Sequence, residues 1–352
     1  MRRSEGGCRL ALAPFFIRLN PYMSARQPRP GYASYVFAIG FLLFAFAAMA
    51  GQPEPGEYPK EFHVGYQKYS VLLLLKSRGG LEKRLAPLGV EVKWSEFTFG
   101  PPMLEALNAG SIDYAATGET PPVFAQAARN AQLVYVGQEP PSPESEAILV
   151  PANSSIQRLA DLKGKKVAVA KGANAHYLLV SALTKAGLDW KDIQPVYLAP
   201  ADAYAAFQRG AVDAWAIWDF YRAAAEARLG ARLLADATGL AGNFDNYTSR
   251  RDFAGQYPKL LAAVLDEIAQ TDAWASAHPE QAAAVIAPAV GLEPVIVAAA
   301  LKRRRYGAGP VTAAFLDSQQ HIADTLAALG LIPQPVQVRD ATLGAFLAQS
   351  SR

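Results

Sequence analysis

Short apolar runs alternate with amphipathic stretches from about residue 61 onward, a pattern typical of α/β proteins. Nine runs have the length and side-chain types of strands. They are FHVGYQ (62–67), VEVKWSEF (90–97), IDYAAT (112–117), LVYVGQ (133–138), ILVP (148–151), KVAVAKG (166–172), PVYLAP (195–200), VDAWAIWD (212–219) and ARLLAD (231–236). Helical stretches are predicted between them at 71–78, 102–110, 122–130, 176–188, 203–210 and 221–230. We therefore expect mainly parallel sheets.

The alternation restarts near Glu146, which indicates two α/β lobes. EALNAGSIDYAATGE and AAFQRGAVDAWAIWD share a helix, a glycine at its end, a strand beginning at aspartate, and an acid after the strand. Duplication of one lobe would explain this similarity. The alternative is that any helix–strand unit has these features. After Pro258 the 3.6-residue apolar spacing predicts helices alone, at 260–277, 279–291, 294–304 and 313–330, which pack on the first lobe.

The chain must therefore cross between the lobes twice, and we place these crossovers near 145–150 and 243–249. The expected division is a leader and signal peptide at 1–50 and a flexible leader rich in proline and glycine at 51–60. Residues 61–147 plus 247–345 form the first lobe, and residues 148–246 form the second.

Residues 35–50, YVFAIGFLLFAFAAMA, follow basic residues and end in Ala48-Met49-Ala50. This is the pattern of a signal-peptide apolar region with an A-x-A cleavage site, and sixteen residues are few for a membrane span. An N-terminal membrane anchor is the alternative. Met23 begins a compact basic segment directly before the apolar run, so it is a better start for the protein than Met1.

Composition excludes several classes of function. Residues 1–50 hold six arginines and one glutamate, so their removal changes the net charge from +3 to −2, which disfavours a nucleic-acid partner. Cys8 is the single cysteine, and the four histidines are scattered. We expect no metal site, no cofactor and no catalytic residue.

Four junctions at the carboxyl ends of predicted strands carry polar groups, and such ends bind ligands in open α/β sheets. They are GYQKYS (65–70), TGETPP (117–122), AKGANAHYLL (170–179) and AWAIWDFY (214–221). Ser70 and Thr120 are candidate helix caps, as is Asp219. AKGANAH offers free backbone N–H groups to an anion, whereas Pro121 and Pro122 remove two donors from TGETPP.

The segments GYQK, LNAGSIDYAATGETPPVFAQAA, LVYVGQEPPSPESEAILVP, DLKGKKVAVAKGANAHYLL, GAVDAWAIWDFY and RRRYG resemble the aliphatic sulfonate-binding proteins of bacterial ABC importers. The resemblance runs from about Phe62 to Ala341. It implies a two-lobed α/β protein with the type II periplasmic binding protein fold, and a monomer in the periplasm. Its partners would be an alkanesulfonate and an inner-membrane permease with a cytoplasmic ATPase, serving sulfur acquisition.

The resemblance also implies where the ligand is held. The candidate residues are Gln67, Thr117, Gly118, Thr120, Gly172, Ala173, Asn174 and His176 for the sulfonate head, with Trp218 and Asp219 lining the cleft. Ala173 stands where we expect relatives to have a small or hydroxyl-bearing residue, so its backbone N–H would have to serve.

Other ligands and an enzymatic function are alternatives that the sequence also allows. Taurine, nitrate or a thiamine precursor are alternative ligands, and taurine needs a carboxylate for its ammonium group, which Glu119 or Asp219 could supply. We expect Glu119 to face away from the sulfonate. An enzyme of the same fold, such as a desulfinase, is a weaker alternative because that chemistry uses a cysteine, and removal of residues 1–50 leaves none.

Overall fold

The computed structural model describes residues 57–349. The predicted signal peptide, its anchor alternative and the choice between Met1 and Met23 lie outside these residues, as do residues 51–56 of the predicted flexible leader. The last leader residues contact the folded body. Glu57 forms an ion pair of 2.7 Å with Lys259, and the carbonyl of Lys60 accepts the backbone N–H of Glu91.

Ten strands form two five-stranded sheets within the described residues. They are β1 (Glu61–Tyr66), β2 (Glu91–Glu96), β3 (Tyr114–Gly118), β4 (Leu133–Gln138), β5 (Glu146–Val150), β6 (Lys166–Val169), β7 (Gln194–Tyr197), β8 (Ala214–Trp218), β9 (Arg232–Asp236) and β10 (Asp245–Arg250). The first sheet has the order β2-β1-β3-β10-β4 and the second has the order β7-β6-β8-β5-β9. The expected two-lobed α/β fold is confirmed.

The fourth strand of each sheet arrives by a crossover and runs antiparallel to both neighbours. β5 pairs with β8 and β9, and β10 pairs with β3 and β4. Most of the segment 243–249, where we placed the second crossover, is strand β10 of the first sheet. DNYTSR lacks an apolar alternation, yet Tyr247, Thr248 and Ser249 are fully buried. The buried Ser249 hydroxyl donates a hydrogen bond to the Asp113 carbonyl, so the hydroxyl of Ser249 is not left unpaired.

Twelve α-helices are present in the same residues: α1 (Val71–Arg78), α2 (Gly80–Leu85), α3 (Gly100–Asn108), α4 (Thr120–Ala127), α5 (Asn174–Lys185), α6 (Pro200–Gln208), α7 (Tyr221–Leu229), α8 (Arg251–Gln256), α9 (Pro258–Ala277), α10 (Pro279–Val290), α11 (Pro294–Leu301) and α12 (Ala313–Ala328). All ten helices predicted from the sequence are among them. The short helices α2 and α8 were not predicted, since six residues carry too little periodicity to be recognised.

The C-terminal helices pack on the first lobe, as expected. α9 contacts α1 and α2 on one face of the first sheet, and α12 contacts α4 on the other. α11 additionally contacts α7, which belongs to the second lobe. Among residues 57–349 no single helix is long and apolar enough to cross a membrane. Only α10 and α11 taken together reach that length and composition, and the chain bends by 118° between them.

The likeness between the two lobes extends to individual hydrogen bonds. The Asp113 carboxylate accepts the N–H of His63 at 2.9 Å, and the Asp213 carboxylate accepts the N–H of Lys166 at 2.8 Å. Each aspartate precedes the third strand of its sheet and fixes the start of the parallel neighbour. The two strand ends that follow, at Gly118 and Trp218, therefore occupy equivalent places.

Candidate ligand-binding site

A cavity lies where the two lobes, both crossovers and the end of α11 meet. It contains about 630 Å³ of space free of protein atoms, part of it open to solvent. Four of the residues expected at the site line it, namely Ala173, Asn174, Trp218 and Asp219. The other walls include Pro121 from the first lobe, Ser142, Ser145 and Asn243 from the crossovers, and Arg304 beyond α11.

Asn174 joins the second lobe to the first. Its Oδ1 accepts the N–H of Thr120 at 3.0 Å, and its Nδ2 donates to Oδ1 of Asn243 at 2.8 Å. Asn243 in turn donates to the Ser142 carbonyl at 2.8 Å and to the Ser145 hydroxyl at 3.2 Å. One amide side chain thus connects the start of α5, the TGETPP junction and both crossovers.

Gly118 permits this contact. A Cβ built on Gly118 would lie 2.1 Å from Nδ2 of Asn174, closer than any side chain could tolerate. Gly118 and Thr120, expected at the site, therefore contact Asn174 but do not line the cavity themselves. Nδ2 of Asn246 donates a hydrogen bond of 2.7 Å to the carbonyl of Gly118.

The start of α5 supplies donors for an anion. The helix begins at Asn174, and the N–H groups of Asn174 and Ala175 have no partner within the helix, by the geometry of any helix start. The N–H of Ala173 instead donates to the carbonyl of Ala170. Aligned peptide dipoles add positive potential at the same place, so this end of the cavity favours an anion.

Gly172 and His176 were expected to contact the ligand, and the structure places them behind the α5 start. Gly172 has a φ of +76°, and its N–H donates to Nδ1 of His176 at 3.2 Å. The His176 ring is buried against Phe124, Trp190 and Tyr197. Burial, together with Lys171, lowers the pKa of His176 to about 4, so the ring is neutral and acts as an acceptor that fixes the turn.

Trp218 and Asp219 line the cavity with different chemistry. The Trp218 ring lies 5.6 Å from the ring of Tyr69, and its buried Nε1 has no hydrogen-bond partner within the described residues. Asp219 accepts Nε and Nη2 of Arg303 at 2.7 Å each, and it also accepts the N–H of Ala223. Burial raises the pKa of Asp219, and the Arg303 guanidinium opposes that shift. Trp218 thus has a free donor, whereas Asp219 is fully engaged.

The TGETPP junction differs from its expected capping pattern. Thr120 is the first residue of α4 and not its cap, which is Glu119, and the Thr120 hydroxyl has no hydrogen-bond partner in the described chain. The Glu119 side chain turns to the crossover, where Oε2 accepts the N–H of Phe244 at 3.2 Å. Glu119 is fully buried and does not line the cavity.

Gln67 and Thr117 are buried next to the site and also do not line the cavity. Nε2 of Gln67 donates to the Ala116 carbonyl at 3.1 Å, and the Thr117 hydroxyl reaches Asn246 only at 3.5 Å. Ser70 caps α1 as expected, since its hydroxyl accepts the N–H of Leu72. These residues shape the strand ends, and in this conformation they are one layer away from the cavity.

Sequence reasoning missed Arg304 and Tyr69, which both line the cavity. Nη2 of Arg304 lies 2.6 Å from Oδ2 of Asp245, Nη1 donates to the Tyr69 carbonyl, and the buried Nε has no partner among residues 57–349. RRRYG was recognised as a segment of the resemblance, yet nothing in it distinguishes Arg304 from Arg303. Only the fold brings a residue 235 positions away to Tyr69.

A second, wider cleft adjoins the cavity and shares Tyr69 and Phe220 with it. It contains about 1060 Å³ of space, part of it open to solvent, and its walls carry further aromatic rings from both lobes: Phe97, Tyr204 and Tyr221. Lys68 and Glu96, 3.5 Å apart as an ion pair, lie at this cleft. Its apolar walls suit an organic group attached to whatever occupies the cavity.

Comparison with known sequences agrees with this architecture. A family model described as NMT1/THI5 like matches residues 88–282. A curated protein of Escherichia coli (strain K12), named as an aliphatic sulfonates-binding protein, is 46% identical over 283 residues, which cover 80% of this chain and 88% of that protein. The chain belongs to the NMT1/THI5-like aliphatic sulfonate-binding family. The resemblance stated from the sequence motifs is thereby confirmed.

Two solved structures of this family superimpose on the chain. The alkanesulfonate-binding protein SsuA from Xanthomonas axonopodis pv. citri, bound to MOPS, gives a TM-score of 0.77 at 40% identity over 82% of this chain and 99% of its own. The periplasmic aliphatic sulphonate binding protein SsuA from Escherichia coli gives 0.74 at 46% identity over 81% and 97%. The close relatives are solute-binding proteins, and the fold class is that of periplasmic binding proteins.

Proposed function

We propose that this protein is the solute-binding component of an ABC importer and captures aliphatic sulfonates for sulfur acquisition. It would work as a monomer in the periplasm and deliver the ligand to an inner-membrane permease with a cytoplasmic ATPase. The observation that carries the proposal is the start of α5, where Ala173 and Asn174 line a cavity between two lobes. Relatives of the same family are named for sulfonates.

The chemistry of the cavity supports a sulfonate. A sulfonate is anionic at physiological pH and offers three acceptor oxygens, so it needs donors and no base. The N–H groups of Asn174 and Ala175 and Nε1 of Trp218 provide donors, and the positive end of the α5 dipole adds to them. The organic group would extend past Tyr69 and Phe220 into the aromatic cleft.

The acidic residues near the cavity raise the question of whether taurine is the ligand. Its ammonium group needs a carboxylate, and Asp219 is already held by both nitrogens of the Arg303 fork. Glu119 points to the crossover and is absent from the cavity wall. These two engagements favour a sulfonate without an amino group. An enzymatic role has less support, since the single cysteine of the sequence is Cys8 and the close relatives are binding proteins.

Calorimetry with a ligand series tests the proposal. We expect ethanesulfonate and octanesulfonate to bind more tightly than taurine. Tight binding of taurine, with no detectable binding of either alkanesulfonate, would reverse this ranking.

Asn174→Asp tests the placement of the head group. The new carboxylate would add a negative charge at the cavity wall and lose the hydrogen bond to Asn243, so we expect ethanesulfonate affinity to fall by ten-fold or more, on the order of 1.4 kcal/mol. Asn153→Asp, on the exposed surface of the second lobe, introduces the same charge far from the cavity and should leave the affinity unchanged. An unchanged affinity in Asn174→Asp would remove that residue from the site.

A further inference from the structure

Two buried glutamates near the cavity have no cation to pair with. Glu119 and Glu146 are fully buried, and neither belongs to an ion pair within residues 57–349. Both carboxyl oxygens of Glu146 and Oε1 of Glu119 also have no hydrogen-bond partner there. A buried carboxylate without a partner is costly, so these groups hold protons far more readily than surface acids do.

Both acids are one residue away from groups that surround the ligand cavity. Glu119 lies between Gly118 and Thr120, which contact Asn174. Glu146 follows Ser145, which lines the cavity, and is the partner of Trp218 in the ladder between β5 and β8. Burial and, after it, the charge of Glu119 raise the pKa of Glu146. Residues that line the cavity thus separate an anion in it from each acid, with Asn174 on the side of Glu119 and with Ser145 and Trp218 on the side of Glu146.

The charged groups around Glu119 and Glu146 do not offset the negative charge that these two acids carry when ionised. The titratable groups that interact with the two acids from neighbouring elements are Asp245, Tyr69 and Tyr177. The charge of Arg304 is directed to Asp245 and Glu139. Burial raises the pKa of Glu119 to about 7, with a further rise from Asp245, and burial raises the pKa of Glu146 well above its usual range.

We propose that Glu119 and Glu146 make the site selective for ligands with a single negative charge and couple binding to proton uptake. This inference rests on the proposed function, since it assumes that an anion occupies the cavity. Each acid repels the bound charge when it ionises, and a dianion is repelled about twice as strongly as a monoanion. Either this repulsion or the proton uptake that relieves it opposes binding, and the resulting penalty is larger for a dianion than for a monoanion.

The direction of the pH effect follows from linkage. A bound anion raises the pKa of Glu119 above its value in the free protein, which is about 7. Binding is therefore strongest below pH 7, takes up a proton near and above pH 7, and weakens as the pH rises. His176, with a pKa of about 4, stays neutral throughout this range and does not contribute.

Methanesulfonate and sulfate provide the probe, because they are tetrahedral anions of similar size that differ by one charge. We expect calorimetry on the full mature chain at pH 8 to show methanesulfonate bound at least about 100-fold more tightly than sulfate. In the double variant Glu119→Gln, Glu146→Gln this ratio should shrink by about ten-fold. Wild-type affinity for ethanesulfonate should fall between pH 6 and pH 8.5, and the fall should be absent from the variant.

Glu105→Gln, which removes an exposed acid of the first lobe, is the control and should reproduce the wild-type ratio and pH dependence. Equal wild-type affinities for the two anions, together with an affinity for ethanesulfonate that does not change with pH, would overturn the inference even if the variants fail to fold. A ratio unchanged in a folded double variant would overturn it as well. If wild type binds neither ethanesulfonate nor methanesulfonate, the proposed function fails and this inference falls with it.

Discussion

The junctions after β3 and β8 occupy equivalent places in the two sheets, and their side chains have opposite characters. In the first lobe the strand ends at Gly118 and is followed by Glu119, a buried acid that forms no ion pair among residues 57–349. In the second lobe the strand ends at Trp218 and is followed by Asp219, a buried acid held by Arg303. The same backbone position thus carries a small residue and an unpaired acid in one lobe, and a large ring and a paired acid in the other.

The two junctions therefore contribute to ligand binding in different ways. Gly118 leaves room for Asn174, so the start of α5 can approach the first lobe closely. Trp218 instead forms a wall beside Tyr69, where an organic group can pack. We infer that the start of α5, which Gly118 allows to approach, and Nε1 of Trp218 hold the charged head, whereas the rings of Trp218 and Tyr69 face the organic part. The acids differ accordingly, because Asp219 is a structural partner of Arg303 and Glu119 remains free to change its protonation.

Asp219→Asn should produce the largest change in stability. It leaves Arg303 without its bidentate partner in a site where the Arg303 side chain is 17% exposed. Removing one member of a buried ion pair costs about 3 to 5 kcal/mol, and we expect a loss near the lower end in urea unfolding at pH 7. Glu293→Gln breaks an exposed pair with Arg228 and should cost less than about 1 kcal/mol. Equal losses in the two variants would contradict a structural role for Asp219.

Glu119→Gln should stabilise the protein at high pH, in contrast to Asp219→Asn. Glu119 titrates near pH 4.5 when exposed and at about 7 in the fold, so the folded protein holds this proton more tightly. Its stabilising contribution is complete below pH 4.5 and is lost as the pH rises to about 7, a loss of up to about 3 kcal/mol. Glutamine retains the acceptor for Phe244 without ionising. The variant should therefore lose less stability than wild type in unfolding measured from pH 4.5 to pH 8, and parallel curves would show that Glu119 is already ionised in the fold.

Gly118→Ala should weaken binding more than it weakens folding. The new Cβ would collide with the Asn174 amide and move the start of α5 away from the first lobe. We expect ethanesulfonate affinity to fall about ten-fold, equivalent to about 1.4 kcal/mol. Gly255→Ala, where a Cβ would meet no atom within 4 Å, serves as the control. Calorimetry that shows the same affinity for both variants would mean that the close approach is not needed.

The sequence predicted the lobes well and the site in part. Apolar runs of four to eight residues identify nine of the ten strands, whereas β10 is hidden because its burial relies on hydrogen bonds of polar residues such as Ser249. Asn174 and Trp218 were predicted at the cavity and line it. His176 was also expected to contact the ligand, but its ring turns back to Gly172. Arg304 was missed, because its place depends on long-range packing that no local pattern records.

A crystal structure of the protein with ethanesulfonate would show directly which residues hold the sulfonate. We expect the sulfur atom in the cavity, with sulfonate oxygens within hydrogen-bond distance of the N–H groups of Asn174 or Ala175 and of Nε1 of Trp218. The ethyl group should point past Tyr69 toward the aromatic cleft. A sulfonate bound instead beside Lys68 or Arg228, with its ethyl group in the cavity, would contradict the placement of the head in the cavity and of the tail in the aromatic cleft.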